Sequence, residues 1–541
     1  MLSSTEVIVR KIWEHSLQCD KIAPQDNFYK MGGDSLAALT MLFRISDVFG
    51  VDIRPDVLMD APTLREFCQV IDKKKSDISP ASGEARSETP EIIPCQHKEQ
   101  MPVSFIQEQI VGAELAGWYD PDKTKSHCLD LCYKIRGAVD IPALDKALCE
   151  IIRRHEILRT GYSVTDGVIF QNVNAAPQSI LHVEDLSRLA QGDRERETER
   201  ILKEIADKSF SYFRDKLMIA ATLITGGVAE HILAVTVNHV AIDGLSMTFL
   251  RDELFLLYGA FSNNAPPSLS DPLIQYADYA AWEREYFSGD RLEAKLAYWR
   301  QLSGETLDTT LPPDRKPTVF SYAGDTVPVT IAPELAKQMR RLARDCKVTL
   351  FTALFAAFIA LIHAFSGYRY NFFCIPVANR TRRETQSLIG CFMNFQFVYI
   401  DLSGNPTFLE LIERLNGTLR NVYENYVPFH FITQQIPPQG PVVDFQLLSV
   451  PGEIPIPGGL SLSPFRLQPQ EFALFPIDVR LLDSPEAVTG HFKYQTAAYD
   501  RKTIEDMADD YTALLAKAAQ NPDIKLGDMG IKPHSSVRDC S

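Results

Sequence analysis

The 541-residue sequence has no pair of cysteines at Cys-x-x-Cys spacing, although it contains 10 cysteines. Cys128 and Cys132 lie four positions apart beside His127, but no second pair of ligands is near them in the sequence, so no metal site is expected. Reduced thiols in a cytoplasmic protein are the simpler interpretation.

The sequence also lacks the features of nucleic-acid-binding and membrane proteins. Its net charge is −15 and it has no basic cluster beyond Lys73–Lys75, so no nucleic-acid partner is expected. The most apolar run, Thr349–Phe365, is short for a membrane span and contains His363, and it predicts a buried helix. The N-terminus has no basic region followed by an apolar one, so neither a signal peptide nor a membrane partner is expected.

No Gly-x-Ser-x-Gly motif of a serine hydrolase is present either. The chain has instead an ordinary globular composition, with 45% hydrophobic and 23% charged residues. Its length of 541 residues predicts about two to four domains or lobes.

Residues 1–76 predict a compact helical domain. Two capping boxes, at Ser3–Glu6 and Thr63–Glu66, open a first helix and a last helix that ends near Asp72. Between them, the sequence Gly-Gly-Asp-Ser-Leu places Ser35 at the start of another helix. The hydroxyl of Ser35 is either an N-cap or, compatibly, a site for a phosphate group, which a helix N-terminus stabilises.

The strongest candidate for chemistry follows a predicted strand. Residues 232–237 are β-prone, and Ser246 is expected to be the N-cap of a helix over Met247–Phe261. Period-2 alternation points Asn238 and His239 to opposite faces, and His239 continues the apolar row of the strand. An imidazole in this position is either a satisfied core residue or a base that faces a pocket.

This stretch carries a family resemblance. Its sequence Asn-His-Val-Ala-Ile-Asp-Gly, residues 238–244, resembles the His-His-x-x-x-Asp-Gly signature of condensation domains from nonribosomal peptide synthetases. These domains belong to the CoA-dependent acyltransferase superfamily. The second His, the Asp and the Gly of the signature match His239, Asp243 and Gly244, whereas Asn238 replaces the first His.

Other segments resemble motifs of the same family in the family's order. They are Val103–Ile110, in which Gln109 replaces an Arg, Arg153–Thr160, Tyr276–Trp282, Leu311–Pro317, Val377–Arg380 with Ile389–Asn394, and Val427–Phe429. The stretch around Ser35 resembles the Gly-Gly-x-Ser-Leu motif of peptidyl carrier proteins. The chain is therefore similar to a carrier–condensation didomain.

The resemblance implies a small all-α four-helix carrier domain followed by an α/β, two-lobed, chloramphenicol-acetyltransferase-like condensation domain. The expected divisions are a carrier at 1–76, a flexible linker at 77–100 that is rich in Pro, Ser and charge, a first lobe at 101–270, and a second lobe at 271–541. Residues 451–459, rich in Pro and Gly, are expected to cross from the second lobe toward the first.

The resemblance also implies the chemistry. Ser35 is expected to carry 4′-phosphopantetheine, whose thiol holds an acyl group as a thioester. His239 is the candidate base or positioning group, and Gly244 is expected to offer a backbone N–H to the oxyanion. Asp243 and Arg380 are expected to form a structural ion pair. Asn238 retains hydrogen-bonding capacity without charge.

The expected function is transfer of the carrier-bound acyl group to a hydroxyl or amine, which forms an ester or amide in secondary metabolism. The chain is similar to stand-alone fungal ester-forming didomains, such as that of fumonisin (mycotoxin) biosynthesis. The alternatives are a peptide-bond-forming fragment of a larger synthetase, a non-catalytic docking module, and a hydrolase. The expected partners of this monomer are a phosphopantetheinyl transferase, an acyl-loading enzyme acting in trans, and a small-molecule or carrier-bound acceptor.

Overall fold

The secondary structure comes from a computed structural model. It describes residues 3–17, 21–28, 31, 41–42, 45, 48–49, 51, 53, 57–77, 90–95, 100–117, 121, 128–227, 229–267, 269–302, 311–315, 321–367, 370–436, 443–449, 459–465, 467, 473, 475–484 and 487–531. The described helices are α1 (Ser4–Ser16), α2 (Val57–Asp60), α3 (Leu64–Asp77), α4 (Phe105–Leu115), α5 (Ile141–Arg154), α6 (Gln191–Ala206), α7 (Gly244–Ser262), α8 (Tyr276–Tyr286), α9 (Gly289–Leu302), α10 (Pro333–Asp345), α11 (Leu350–Ser366), α12 (Phe408–Glu424), α13 (Phe429–Gln435) and α14 (Arg501–Gln520). The described strands are β1 (Met101–Pro102), β2 (Cys128–Arg136), β3 (Thr160–Thr165), β4 (Val168–Val173), β5 (Leu181–Asp185), β6 (Ile219–Thr225), β7 (Glu230–Asn238), β8 (Gly324–Ile331), β9 (Tyr370–Val377), β10 (Asn394–Asp401), β11 (Val443–Ser449), β12 (Ser461–Pro464), β13 (Ile477–Asp483) and β14 (Val488–Gln495). Short 3₁₀ turns occupy Glu156–Arg159, Arg383–Thr385 and Leu526–Asp528.

The N-terminal segment packs around its own hydrophobic core. The capping box that opens α1 is formed, because the Glu6 N–H donates to Ser3 Oγ at 3.0 Å and the Ser3 N–H donates to Glu6 Oε2 at 2.8 Å. Trp13 and Phe28 are fully buried and meet edge to face, with ring centroids 5.1 Å apart. This aromatic pair joins α1 to the loop that follows it.

The helix predicted after Ser35 is only partly visible. Ser35 itself lies outside the described residues, while Met41 and Ile45 in the same stretch are helical and buried in the carrier core. The described helices α1, α2 and α3 agree with the predicted all-α domain. Its fourth helix stays a prediction.

The last carrier helix is longer than predicted. α3 runs to Asp77 rather than ending near Asp72, so the charged Lys73–Lys75 run is helical. The extra turn has partners in the carrier: Lys75 Nζ lies 3.5 Å from Thr5 Oγ1 and 5.0 Å from the centroid of the Phe49 ring. These contacts hold residues that follow the predicted end of the helix.

The predicted linker is attached to the condensation region at its far end. Pro90 O accepts hydrogen bonds from Trp282 Nε1 at 2.9 Å and from Arg382 at 3.3 Å. Ile92 is 3% exposed, and its N–H donates to Glu384 Oε1 at 3.0 Å. The expectation of a flexible linker over all of 77–100 is therefore wrong for these residues, because buried apolar surface and hydrogen bonds fix them.

The first lobe is built on two sheets. A five-stranded sheet has the order β12-β2-β7-β6-β5, and a three-stranded sheet has the order β1-β4-β3, among the described strands. Strand β7 lies between β2 and β6 and is antiparallel to both. This central strand therefore presents its C-terminal end, Asn238, from a rigid frame.

The second lobe is built on one larger sheet. Its described strands have the order β10-β9-β11-β13-β14-β8, with β11 parallel to both β9 and β13. The apolar run predicted to form a buried helix is α11, which is buried in this lobe's core, so the prediction is confirmed. Thr349 caps the helix, and its Oγ1 accepts from the Thr352 N–H at 3.1 Å. The two predicted α/β lobes are present.

The chain crosses between the lobes after β11. Strand β12 follows β11 in sequence but pairs antiparallel with β2, at the edge of the first lobe's sheet. Most of the predicted crossover, residues 451–458, lies outside the described residues, whereas Gly459 is described and precedes β12. The second lobe thus contributes a strand to the first.

The boundary predicted near residue 270 falls before a helix that belongs to the first core. Tyr276 and Tyr279 of α8 are buried in the first lobe's hydrophobic cluster. Ile389 and Phe392, from the loop between β9 and β10, join the same cluster. Because the apolar side chains of both lobes meet there, no single residue separates the lobes.

Among the described helices, no single one is long and apolar enough to cross a membrane. By length and composition alone, α10 and α11 together meet that criterion as a pair bent by 105°.

Candidate active site

His239 lies in the turn between β7 and α7. Strand β7 ends at Asn238, so the prediction that His239 continues the apolar row of the strand is wrong. The imidazole is half-buried, whereas Asn238 is fully buried. The strand ends at Asn238 because the Asn238 side chain bonds to the turn itself.

Asn238 shapes this turn through its side chain. Its Oδ1 accepts from the Val240 N–H at 2.9 Å, and its carbonyl oxygen accepts from the Ala241 N–H at 2.9 Å. A short amide side chain that bonds to the backbone two residues on is typical of Asn in turns. Asn238 therefore holds the backbone on both sides of His239.

Asp243, rather than Ser246, is the N-cap of the following helix. Asp243 Oδ1 accepts from the Ser246 N–H at 2.7 Å, and α7 begins at Gly244, three residues before the predicted start. The prediction failed because Ser246 is occupied elsewhere: its Oγ donates to Gly390 O at 2.8 Å. Both residue types suit the cap position, and the sequence alone does not rank them.

Gly244 occupies the first position of α7 and is exposed. A Cβ atom at this position would meet no described heavy atom within 4 Å. N–H groups in the first turn of a helix lack intrahelical acceptors. The position agrees with the predicted contact between the Gly244 N–H and an oxyanion, and that role stays a prediction.

Asp243 and Arg380 form the predicted ion pair. Arg380 Nη2 lies 3.1 Å from Asp243 Oδ1 and 3.2 Å from Oδ2, and the side chains of Arg380 and Asp243 are 0% and 4% exposed, respectively. Arg380 also donates to the carbonyl oxygens of Thr385 and Leu388. The guanidinium lies over the Phe392 ring, 4.2 Å from its centroid. The pair joins the start of α7 to the β9–β10 loop.

Ser246 and Gly390 complete this junction. The Gly390 N–H donates to Ser246 Oγ at 3.1 Å, and Gly390 O also accepts from the Asp243 N–H at 3.1 Å. A Cβ atom on Gly390 would lie 2.1 Å from the Tyr276 ring, so only glycine fits. The sequence placed Gly390 inside a family motif, but the motif did not reveal that Gly390 bonds to Ser246.

The junction also places a thiol beside the imidazole. Cys391 Sγ lies 3.7 Å from His239 Nδ1, and burial raises the pKa of this thiol well above its ordinary value. The Cys391 carbonyl accepts from the Tyr276 hydroxyl, which lies 2.9 Å from Ser104 Oγ. Cys391 is therefore a neutral neighbour of His239, held by residues of two other family motifs. Sequence reasoning missed it, because an isolated cysteine gives no signal.

The surroundings of His239 lower its pKa. Burial is the largest cause, and Arg480 of the second lobe acts in the same direction. Hydrogen bonds to the backbone carbonyls of His239 and Ile242, together with the charge of Asp243, oppose them without reversing the shift. His239 is therefore neutral at pH 7.

A neutral imidazole carries a proton on one ring nitrogen and leaves the other ring nitrogen basic. This is the form that a general base needs.

Two protein families match the sequence. The family described as Condensation domain matches residues 97–539. The family described as Phosphopantetheine attachment site matches residues 8–71. The second match implies a covalently attached 4′-phosphopantetheine, and it includes Ser35.

The chain matches segments of curated proteins that are much longer. One of the proteins of the linear gramicidin synthase of Brevibacillus parabrevis is 32% identical over 532 residues, which are 96% of this chain and 7% of that protein. Malpinin synthetase of Mortierella alpina is 30% identical over 512 residues, which are 92% of this chain and 6% of that protein. The chain thus spans less than a tenth of the length of these two relatives.

Solved structures share the two-lobed fold. The X-domain in the complex of X-domain and OxyB from teicoplanin biosynthesis aligns with a TM-score of 0.71 at 23% identity, over 83% of this chain and 99% of that chain. The SgcC5 protein of Streptomyces globisporus aligns with a TM-score of 0.66 at 24% identity, over 78% of this chain and all (100%) of that chain.

The condensation match covers most of the chain, and the residues of its signature surround the neutral imidazole of His239. The chain belongs to the condensation-domain family and carries a phosphopantetheine-attachment domain ahead of its condensation domain.

Proposed function

We propose that the chain transfers an acyl group from a phosphopantetheine arm on Ser35 to the hydroxyl group of a diffusible acceptor, in secondary-metabolite biosynthesis. The observation that carries this proposal is the neutral imidazole of His239 in the turn between β7 and α7. A hydroxyl needs a base to remove its proton as it attacks, and a neutral imidazole supplies one.

The reaction balances without any nucleophile from the protein. The acceptor oxygen forms a bond to the thioester carbonyl carbon and the carbon–sulfur bond breaks. The hydroxyl proton passes through His239 to the departing thiolate. An oxyanion formed on the way would be stabilised by the Gly244 N–H, which lies at the positive end of α7. An amine acceptor would follow the same course to an amide.

Two other functions compete with this proposal. The curated relatives are peptide synthetases, which favours a carrier-bound aminoacyl acceptor and amide formation. One structural relative was solved in complex with OxyB, which favours docking without catalysis. The intact contacts of Asp243 and the neutral His239 favour catalysis over docking alone.

Acceptor choice tests the proposal. Acyl-loaded protein is offered a free alcohol, the matching free amine, and an aminoacyl carrier protein, and products are identified by mass spectrometry. We expect ester formation with the free alcohol. Product from the aminoacyl carrier alone would identify a peptide-bond-forming fragment. Hydrolysis alone would indicate a hydrolase, and an unchanged thioester in every reaction would favour a docking module.

Loading tests the carrier assignment. A phosphopantetheinyl transferase and CoA should add one arm to the wild-type protein and none to Ser35→Ala, because Ser35 is the serine of the carrier motif. Intact-protein mass spectrometry measures the gain. Ser46→Ala, in the same domain, is the matched control and should be loaded like wild type. An arm on Ser35→Ala would place the attachment site elsewhere.

A further inference from the structure

The sheet of the second lobe carries a group of charged side chains on the face opposite its hydrophobic core. Alternate residues such as Phe445, Val479 and Phe492 point into the core. In register, Asp444 lies beside Asp478 on β13, and Asp478 lies opposite Lys493 on β14. Side chains at paired positions share a face. Asp444, Asp478, Arg480 and Lys493, which we call the charged face, therefore point away from that core.

One of the two carboxyls on the charged face is neutral. Asp444 is fully buried, and burial followed by the nearby Asp478 carboxylate raises its pKa well above the ordinary value. Its Oδ2 accepts from Gln446 Nε2 at 2.6 Å. Two adjacent buried carboxyls do not both ionise, so Asp444 keeps its proton.

The charged face therefore has more positive than negative charge. Asp478 is 7% exposed, and its Oδ2 accepts from Arg480 Nη2 at 3.3 Å. Burial and the Arg480 charge lower the pKa of Lys493, and Asp478 only partly opposes them. The two cations, Arg480 and Lys493, thus share one carboxylate, that of Asp478. The charged face can therefore bind one further negative charge.

One donor of the charged face also lacks a partner among the described residues. Arg480 Nε is buried without a hydrogen bond. Buried polar groups without partners are rare in native proteins and call for an explanation. A polar ligand that reaches this face supplies one.

Arg480 connects the charged face to His239. The Arg480 charge lowers the pKa of His239, so guanidinium and imidazole lie within electrostatic reach of each other. The Arg480 side chain is 36% exposed, so part of it is accessible to a ligand. A molecule bound to that part of Arg480 would also lie in the neighbourhood of His239.

We propose that Arg480 and Lys493 bind the carboxylate of a free hydroxy acid or amino acid and hold its nucleophile at His239. This deepens the proposed function and rests on transfer to a diffusible acceptor. A carrier-bound aminoacyl group has its carboxyl in the thioester and offers no carboxylate, whereas a free acid does. The charged face thus selects the acceptor by its negative charge.

The test compares acids with their amides as acceptors. Octanoyl-loaded protein is given 2-hydroxyisovalerate or its primary amide, and valine or valinamide. Wild type should have a lower KM for the acids than for the amides. Lys493→Met should raise the KM for the acids by about tenfold, because it removes a charge-assisted contact, and should change the KM for the amides little. Arg480→Gln, which keeps a hydrogen-bond donor for Asp478, should act in the same direction.

Lys337→Met is the matched control. Lys337 is 67% exposed on α10 and pairs with Glu334, so its loss should change neither KM. Calorimetric titration of 2-hydroxyisovalerate and its amide into wild type and Lys493→Met reports binding without turnover. Binding of the acid that depends on Lys493 supports the site even if no free acceptor reacts, which would overturn only the proposed function.

Two results would overturn the site. One is equal binding and equal use of acid and amide by wild type. The other comes from a comparison of succinyl-loaded with octanoyl-loaded protein. If Lys493→Met were defective only with the succinyl donor, the site would bind a carboxylate of the acyl group and not one of the acceptor.

Discussion

His239→Ala should fold, accept the arm on Ser35 and hold its acyl thioester, but transfer the acyl group about 10²–10⁴-fold more slowly than wild type, the range for loss of a general base. The side chain is half-buried, and its contact with Cys391 is a long one of 3.7 Å. Its removal therefore disturbs packing little while it deletes the basic nitrogen. Single-turnover transfer from acyl-loaded protein measures the effect.

Two comparisons separate chemistry from structure in this variant. His182→Ala is the matched control, because His182 is 68% exposed beside Glu184 in the same lobe, and it should transfer at the wild-type rate. The pH profile of wild type is the second. Because the pKa of His239 is lowered, the base form persists as pH falls to the ordinary histidine value, and the rate should decline only below it.

Wild-type transfer rates in a folded His239→Ala protein would remove His239 from the chemistry and leave the positioning of the reactants as the source of the rate. A decline in wild-type rate that begins above the ordinary histidine pKa would contradict the neutral imidazole. A large loss in His182→Ala as well would indicate a general sensitivity of the lobe.

The residues of the candidate site could be predicted from the sequence better than the geometry of that site. The signature identified His239, Asp243 and Gly244, and motif order brought in Arg380, because these residue types recur at fixed spacing. Periodicity failed at the end of β7, where a hydrogen bond from Val240 to the Asn238 side chain stops the strand. Period-2 alternation does not register where a local turn bond of this kind ends a strand.

The charged face could not have been predicted from one sequence. Arg480 and Lys493 lie on separate strands, and each is an ordinary polar position of an alternating strand. The position of Arg480 relative to His239 depends on how the two lobes meet, which no spacing encodes. Similarly, residues 90–95 belong to a segment whose composition indicates disorder, yet the hydrogen bond of Pro90 with Trp282 and the burial of Ile92 fix them.

Loss of one partner of the ion pair between Asp243 and Arg380 is expected to destabilise this junction strongly. Asp243 also accepts from the Phe392 N–H at 3.0 Å, and Arg380 is among the largest fully buried side chains. Removal of one partner leaves the other charge buried without compensation, at about 3–5 kcal/mol. Asp243→Ala and Arg380→Ala should therefore each lower the free energy of unfolding by that amount, measured by denaturant titration of the condensation domain's transition.

A double variant and a surface pair test whether this loss is structural. Asp243→Ala combined with Arg380→Met should be destabilised by less than the sum of the single variants, because neither charge is then left alone. Arg501→Ala, which removes an exposed pair with Asp325 at 2.7 Å, should unfold like wild type. If Asp243→Ala and Arg380→Ala were as stable as wild type yet inactive, the pair would act on the reaction and not on the fold. The charge of Asp243, which now raises the pKa of His239, would then be its most direct route to the chemistry.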